Sequence, residues 1–443
     1  MNKFLTVIGA GLAGSEAAWQ AAERGVPVVL YEMRSVVPTP VHKTDSCAEL
    51  VCSNSLGNNQ SFSAPFLLKE ELRKFDSLII ASADRHSVPA GSALAVDREF
   101  FAEEITRKLE EHPNITLKRE EVQEIPTEGP VIIATGPLTS EALSNRISEL
   151  IGQEYLYFYD ALSPIVDANT IDYDKAYFAS RYNKGGDDYL NCPMNEAQYY
   201  DFVQALNQGE KVPFHTFEKP IYFEGCLPIE ELAQRGPKTL SFGPMKPVGL
   251  TDPRTGKRSY AVVQLRRENK AGTAFNLVGF QTKLTYPEQK RIFKTIPGLE
   301  NAEFFRFGAI HRNTFIHSPS LLGPDMDLKS HPGIYFAGQI TGVEGYVESA
   351  TIGLLTSLNA VKKIKGEEFI PPPLESAMGS LYKYITKGKR SNFQPTNINF
   401  GLFEVKEMRI RDKKIRNQKI FENALISLGR WKELNTAKVK STG

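Results

Sequence analysis

The chain is poor in several things, and each shortage excludes something. No apolar run approaches the roughly 18 residues that a bilayer-spanning helix needs, so no membrane span is expected. Nor does the start read as a leader, because the apolar Phe4–Ile8 run leads straight into a glycine-rich turn. Cysteine is scarce, with four in 443 residues. Cys47 and Cys52 are too far apart for a C-x-x-C redox pair or a zinc knuckle, so no metal site is expected, and the usage fits a reducing cytoplasm. Net charge is nearly absent at +1. That balance hides an asymmetry: residues 361–443 hold 18 Lys and Arg against 8 Asp and Glu, a surplus of ten, which leaves the rest of the chain at −9. A basic tail on an acidic body points to a polyanion such as RNA or DNA, or else to a solvated basic helix that touches nothing.

What is present begins at Phe4. Phe4–Ile8 reads as a buried strand, Ser15–Arg24 as a helix stopped by Gly25, and Val26–Tyr31 as a second strand ending on Glu32. Between the first two lies Gly9-Ala10-Gly11-Leu12-Ala13-Gly14, the G-x-G-x-x-G turn of a dinucleotide-binding βαβ unit. Gly9 permits the tight turn, Gly11 lets backbone approach a pyrophosphate, and Gly14 lets the helix lie close to the strand. The helix start offers unpaired N–H groups to phosphate. Glu32 stands where an acid binds a ribose hydroxyl, which suits an unphosphorylated adenosine ribose, as in NAD or FAD. Arg34 is read as a surface residue, with a 2′-phosphate partner as the other reading. No second turn of this kind is visible for a separate nicotinamide domain.

A chain of 443 residues, 41% hydrophobic and 24% charged, exceeds one ordinary core, so two or three domains are expected. Residues 35–63 look like a long loop carrying Cys47 and Cys52. Leu67–Phe75 reads as a helix, Ser87–Ala95 as irregular or short strand, and a helix capped by Asp97 runs to Leu109. Ile115–Leu117 and Val131–Ala134 read as strands, the second leading into Thr135-Gly136-Pro137, where flavoproteins close under their cofactor. From Asp174 to Leu299 aromatics, prolines and glycines are frequent and helix-period segments few. With strands at Ala261–Leu265 and Asn276–Phe280, this reads as an inserted α+β domain, in which Cys226 sits on a turn between Gly225 and Pro228. Residues 1–173 and 301–370 would then form the dinucleotide-binding domain, and 371–443, beyond Pro371-Pro372-Pro373, a basic helical segment with helices at Leu374–Tyr384 and Lys406–Leu428.

Ile334–Gly338 reads as a strand leading through Gln339, Gly342 and Gly345 into a helix from about Val347 to Ile364. In flavoproteins of the glutathione-reductase type the last strand ends in a G-D pair touching the ribityl chain, and the next helix points its start at the flavin ring. Gln339 stands in the aspartate's place and retains hydrogen-bonding capacity. With the N-terminal turn, this favours FAD over NAD as resident cofactor. The expected fold is α/β: a Rossmann-like FAD-binding domain of glutathione-reductase type with an inserted α+β domain and a basic helical C-terminus.

Four stretches together, Gly9–Gly14, Glu49–Ser55, Gly225–Glu230 and Gly338–Tyr346, resemble the folate- and FAD-dependent tRNA (uracil-5-)-methyltransferases of the TrmFO family, over nearly the whole chain. The first and last are shared with the sister GidA/MnmG family, whereas the segments of Cys52 and Cys226 discriminate. The resemblance implies methylation of C5 of the T-loop uridine of tRNA, with the carbon from 5,10-methylenetetrahydrofolate and reducing equivalents from NAD(P)H through FAD. Uracil C5 is a poor nucleophile, and thiolate addition at C6 turns it into an enolate carbon. On that basis Cys226 is assigned as the C6 nucleophile and Cys52 as the proton-handling thiol, the two roles being exchangeable on sequence grounds. Cys47 and Cys192 read as inert.

The resemblance and residue types together nominate Gly9, Ala10, Gly11, Gly14, Glu32, Arg34, Gly136, Gly338, Gln339, Gly342, Gly345 and Tyr346 for the cofactor. Asn54 is a candidate donor to flavin or uracil carbonyls. Arg266, Arg267, Lys283, Arg306, His311 and Arg312 are candidates for folate. Lys406, Arg409, Arg411, Lys413, Lys414 and Arg416 are candidates for tRNA phosphates. Two alternatives make different demands. A wobble-uridine modifier of GidA/MnmG type would need a partner subunit and no Cys226, and a flavin-containing RNA-binding protein without chemistry would tolerate loss of either cysteine.

Overall fold

In a computed structural model the described residues are 4–39, 41–152, 156–183, 186–213, 227–388, 393–404, 410 and 412–436. A five-stranded parallel sheet takes its strands in the order Ile334–Phe336, Val131–Ile133, Leu5–Ile8, Val28–Glu32 and Ile115–Arg119. The first strand of the chain is therefore central, and all four of its residues are buried. Covered on both faces, such strands read as nearly continuous apolar runs, as Val131–Ile133 does and Leu5–Ile8 does apart from the buried Thr6.

Helix Leu12–Ala22 lies against helix Tyr346–Lys365, so segments far apart in the chain build one layer. Small residues set the approach. A Cβ on Gly353 would stand 2.2 Å from the Ala13 carbonyl oxygen of the facing helix, and one on Gly14 would stand 1.8 Å from the Gly9 carbonyl oxygen in the turn before it. Ser357 ties the pair with a hydrogen bond to the Ala17 carbonyl at 2.7 Å.

The region after Asp160 builds a second core on an antiparallel six-stranded sheet. It includes Ala261–Arg267 and Ala274–Leu277, and it also takes Ile165–Asp167 and Phe304–Arg306, which lie outside the 174–300 span expected from composition. The expectation of few helices there fails. Glu196–Gln208 is a 13-residue helix closed by a reciprocal capping box between Asn195 and Gln198. Its buried Tyr199, Phe202, Val203 and Leu206 keep helical spacing, a signal masked by the aromatic composition.

The last helix, Lys413–Thr436, runs past Gly429 and docks on the dinucleotide-binding core through Ile420, Ala424, Leu428 and Trp431. Trp431 donates to the Ile370 carbonyl at 2.7 Å, and Phe421 stacks on Phe66. Among the described residues no helix is long and apolar enough to cross a membrane.

Candidate functional site: two joined cavities

At the carboxyl ends of the parallel strands lies a cleft of about 1020 Å³. Gly9, Gly11, Glu32, Arg34, Gly136, Gly338, Gln339 and Tyr346 line it, bringing together candidates from three separated parts of the chain. Gly11, Leu12 and Ala13 also line it, and the helix start carries no side-chain cap, so its first amides are presented to a ligand. The glycines divide by task. A Cβ on Gly11 would meet no atom of the described residues within 4 Å, leaving that space to a ligand, whereas one on Gly338 would lie 2.7 Å from the Ala13 Cβ. Ala10 and Gly14 sit behind the cleft. The Ala10 amide donates to Glu32 Oε2 at 2.9 Å.

Arg34 is not at the surface. It is 5% exposed, and its Nε donates to Glu32 Oε1 at 2.8 Å while Nη1 reaches Glu49 Oε2 at 3.3 Å. Burial by itself would raise the Glu32 carboxyl, but the hydrogen bond and charge of Arg34 prevail and hold it below the usual carboxylate range. The pair fixes one Glu32 oxygen on the glycine turn and orients the carboxylate at the cleft wall. Fixed acid, uncapped helix start and side-chain-free Gly11 fit a dinucleotide. Gly342 lies outside the lining of both cavities; its bare Cα admits Phe393, whose ring carbons would stand 2.5 Å from an added Cβ.

A second cavity of about 1180 Å³ adjoins the first through Val51, Pro137, Leu138, Gln339 and Tyr346. Its wall includes Cys52, Ser53, Asn313, Glu344, Gly345, Glu348 and Asn397. Cys52 is half-buried. The Tyr346 hydroxyl accepts from the amides of Cys52 at 2.9 Å and Ser53 at 3.3 Å. Desolvation, then the nearby Cys52 sulfur, pushes the Tyr346 phenol up, so it stays protonated. Gln339 donates to Glu344 Oε2 at 2.7 Å, so its amide is already oriented. Burial raises the Glu348 carboxyl, one oxygen of which accepts the Ile398 amide at 3.0 Å. Asn313 is 1% exposed, and its Oδ1 has no hydrogen-bond partner among the described residues.

Sequence reasoning passed over Arg98 and named Arg266 and Arg306 only as folate candidates, missing that all three hold the Cys52 loop. Arg306 donates to the carbonyls of Val51 at 2.8 Å and Cys52 at 2.9 Å. Arg98 bonds the Leu50 and Cys52 carbonyls and is paired with Glu268. Arg266 donates to Asn54 Oδ1 at 2.9 Å and Ser53 Oγ at 3.3 Å. Arg266 and Arg306 thus bond protein groups, while Arg306 Nε has no hydrogen-bond partner among the described residues. Lys283 is paired with Glu231. Arg267 lies over the Phe178 ring at 5.4 Å. Asn54 is fully buried, its amide on the Val96 carbonyl at 3.0 Å and the Arg267 carbonyl at 2.9 Å, so it holds the loop and does not donate to a ligand. Arginine on a strand carries no local signal of this use, because its partners lie 143 to 255 residues away for Arg306 alone.

Burial pushes the Cys47 thiol up to about 11 and the Cys192 thiol up to about 12, in keeping with inert roles. Lys413, Lys414 and Arg416 are exposed on the last helix. Cys226, Lys406, Arg409 and Arg411 lie outside the described residues, as do the side chains of His311 and Arg312.

Central first strand, glycine turn and strand-end cleft define a dinucleotide-binding protein of the glutathione-reductase type. A family model described as Glucose inhibited division protein A matches residues 5–368. The fold is similar to Aquifex aeolicus GidA, with a TM-score of 0.72 at 19% identity over 99% of this chain and 76% of that one. Relatives named methylenetetrahydrofolate--tRNA-(uracil-5-)-methyltransferase TrmFO are far nearer in sequence. That of Enterococcus faecalis is 59% identical over 425 residues, 96% of this chain and 98% of its own. That of Bacillus subtilis is 58% identical over 421 residues, 95% and 97% of the two. The chain belongs to the TrmFO family.

Proposed function

We propose that the protein is a folate- and FAD-dependent tRNA methyltransferase acting on C5 of the T-loop uridine, with 5,10-methylenetetrahydrofolate as carbon donor and NAD(P)H as reductant, in the cytoplasm. One observation carries the reading beyond family membership: a half-buried cysteine, Cys52, lines a cavity that opens onto a dinucleotide cleft. Neither a plain flavin reductase nor a structural flavoprotein has use for a thiol there.

Gly9, Gly11, Glu32, Gly136 and Gly338 would hold FAD, which when bound supplies the reducing equivalents for the last step. The chain's own residues do the rest. The Cys226 thiolate adds to uracil C6, placing an electron pair on C5, which bonds to the donor's methylene carbon. Cys52 takes the C5 proton as the carbon–nitrogen bond to folate breaks, leaving an exocyclic methylene on the base. Hydride addition to that methylene and departure of Cys226 from C6 give the methyl product and regenerate the thiolate. Arg98 and Arg306 position Cys52 by fixing its carbonyl, and Tyr346 does so from the other side by accepting its amide. Lys413, Lys414 and Arg416, with Lys406, Arg409 and Arg411, would meet tRNA phosphates.

The test is transfer of label from methylene-labelled folate donor into T-loop-unmodified tRNA in the presence of NAD(P)H. Label in the uridine methyl group, lost in Cys226→Ala, is the expected result. A yellow protein that puts no label in tRNA would refute the proposal.

A further inference from the structure

Phe304, Phe307 and Tyr286 form a ladder of stacked rings. Centroids are 5.0 Å apart at both steps, with interplanar angles of 21° and 19°. The inner end packs against the core of the inserted sheet, while Tyr286 at the outer end is 56% exposed. An outermost tyrosine ring backed by two others is a rigid flat surface. Its backbone is fixed too, since the Gln289 side chain donates to the Gly308 carbonyl at 2.9 Å and accepts the Gly308 amide at 2.7 Å.

The ladder's position links both cysteine segments. On one side its strand contributes Arg306, which grips the Val51 and Cys52 carbonyls. On the other, residues 281–284, just before Tyr286, bond the described chain on each side of Cys226: Val212 donates to the Lys283 carbonyl at 2.8 Å, and Ile229 to that of Gln281 at 2.7 Å. Tyr286 opens helix Tyr286–Phe293, and Lys290 follows one turn on, exposed, on the same face; Lys294 follows after a second turn. Neither lysine has a carboxylate partner among the described residues, whereas Arg291 is paired with Glu288.

A stacking ring followed by unneutralised cations at one-turn spacing is the chemistry that binds a single-stranded nucleic acid, the ring taking a base and the cations taking phosphates. We propose that Tyr286, backed by Phe307 and Phe304, is a stacking platform for an unpaired base adjoining the target uridine, with Lys290 and Lys294 on the flanking backbone. The proposal rests on the tRNA reading above and adds to it a second RNA contact, on the inserted domain rather than the basic C-terminal helix.

The experiment uses the flavin-loaded full chain and compares wild type, Tyr286→Ala, Tyr286→Phe and Lys290→Ala. KM for tRNA, kcat, KM for the folate donor and affinity for an unmodified T-arm hairpin RNA are measured, with melting temperature as a folding control. Tyr286→Ala is expected to raise KM for tRNA and weaken hairpin binding by about tenfold, the usual cost of one lost stacking contact, at unchanged kcat. Tyr286→Phe, which keeps the ring face, should match wild type. Lys290→Ala should lower the salt slope of hairpin binding by about one phosphate contact.

The platform is refuted if Tyr286→Ala and Lys290→Ala bind the hairpin as wild type does. It is equally refuted if Tyr286→Ala raises KM for folate and not for tRNA, which would assign the ring to the donor's own aromatic group. A wild-type enzyme that methylates no tRNA fails the parent reading as well, whereas an active wild type with indifferent variants fails the platform alone.

Discussion

The phenol oxygen of Tyr346 accepts the backbone amide of Cys52 at 2.9 Å, across 294 residues of sequence. The first residue of the helix that closes the dinucleotide cleft therefore positions the one cysteine described in the neighbouring cavity. Tyr346→Phe leaves the Cys52 and Ser53 amides without that acceptor, at a cost of about 1–3 kcal/mol in local stability. The expected outcome is a lower kcat with KM for tRNA and flavin content unchanged, read by steady-state kinetics and flavin absorbance.

Cys52→Ala removes the thiol while leaving the backbone contacts of its loop in place. Methyl transfer should fall by about 10²-fold or more, the range of a lost proton-handling group. Flavin content and melting temperature should stay at wild-type values. Retained transfer would remove Cys52 from the chemistry.

Two glycines of one turn should fail in different ways. Alanine ordinarily favours a helix by about 1 kcal/mol over glycine. At Gly14 the added Cβ would lie 1.8 Å from a backbone oxygen, so Gly14→Ala should lower the melting temperature despite that propensity. At Gly11 the Cβ would meet nothing among the described residues, so Gly11→Ala should keep the wild-type melting temperature of the apoprotein and lose flavin. Thermal denaturation with flavin quantitation separates the two.

The Glu32 carboxyl, held below its ordinary 4.5 by Arg34, gives stability a defined pH dependence. A depressed folded-state value stabilises above the unfolded one, and the contribution disappears as pH falls through the folded value. Glu32→Gln should therefore melt below wild type near neutrality, with the gap closing as pH falls below about 4.5, in melts taken between about pH 3 and pH 7. A gap constant across that range would contradict the assignment.

Lys413, Lys414 and Arg416 project from the helix that Trp431 anchors, so replacing all three by alanine should leave the fold intact. The slope of log affinity for tRNA against log salt should drop by roughly two to three, with kcat at saturating tRNA unchanged. An unchanged slope would leave the basic tail as a solvated face.

Local spacing determined many of the elements, though not helix Glu196–Gln208, and together with the family resemblance it nominated much of the cleft. The G-x-G-x-x-G turn, the acid at Glu32, the Asp97 cap and the strand–turn–helix from Ile334 to Lys365 each follow from residues within one or two turns of each other. Tertiary structure decided what those elements face. It buried Arg34 against Glu32 and Glu49, turned Arg98, Arg266 and Arg306 onto one loop, closed Gly342 on Phe393, and set the last helix on the dinucleotide-binding core. An arginine's sequence neighbours say that it is charged. Which carbonyl it satisfies is fixed only when chain segments hundreds of residues apart bury those groups together and leave no water to take the partner's place.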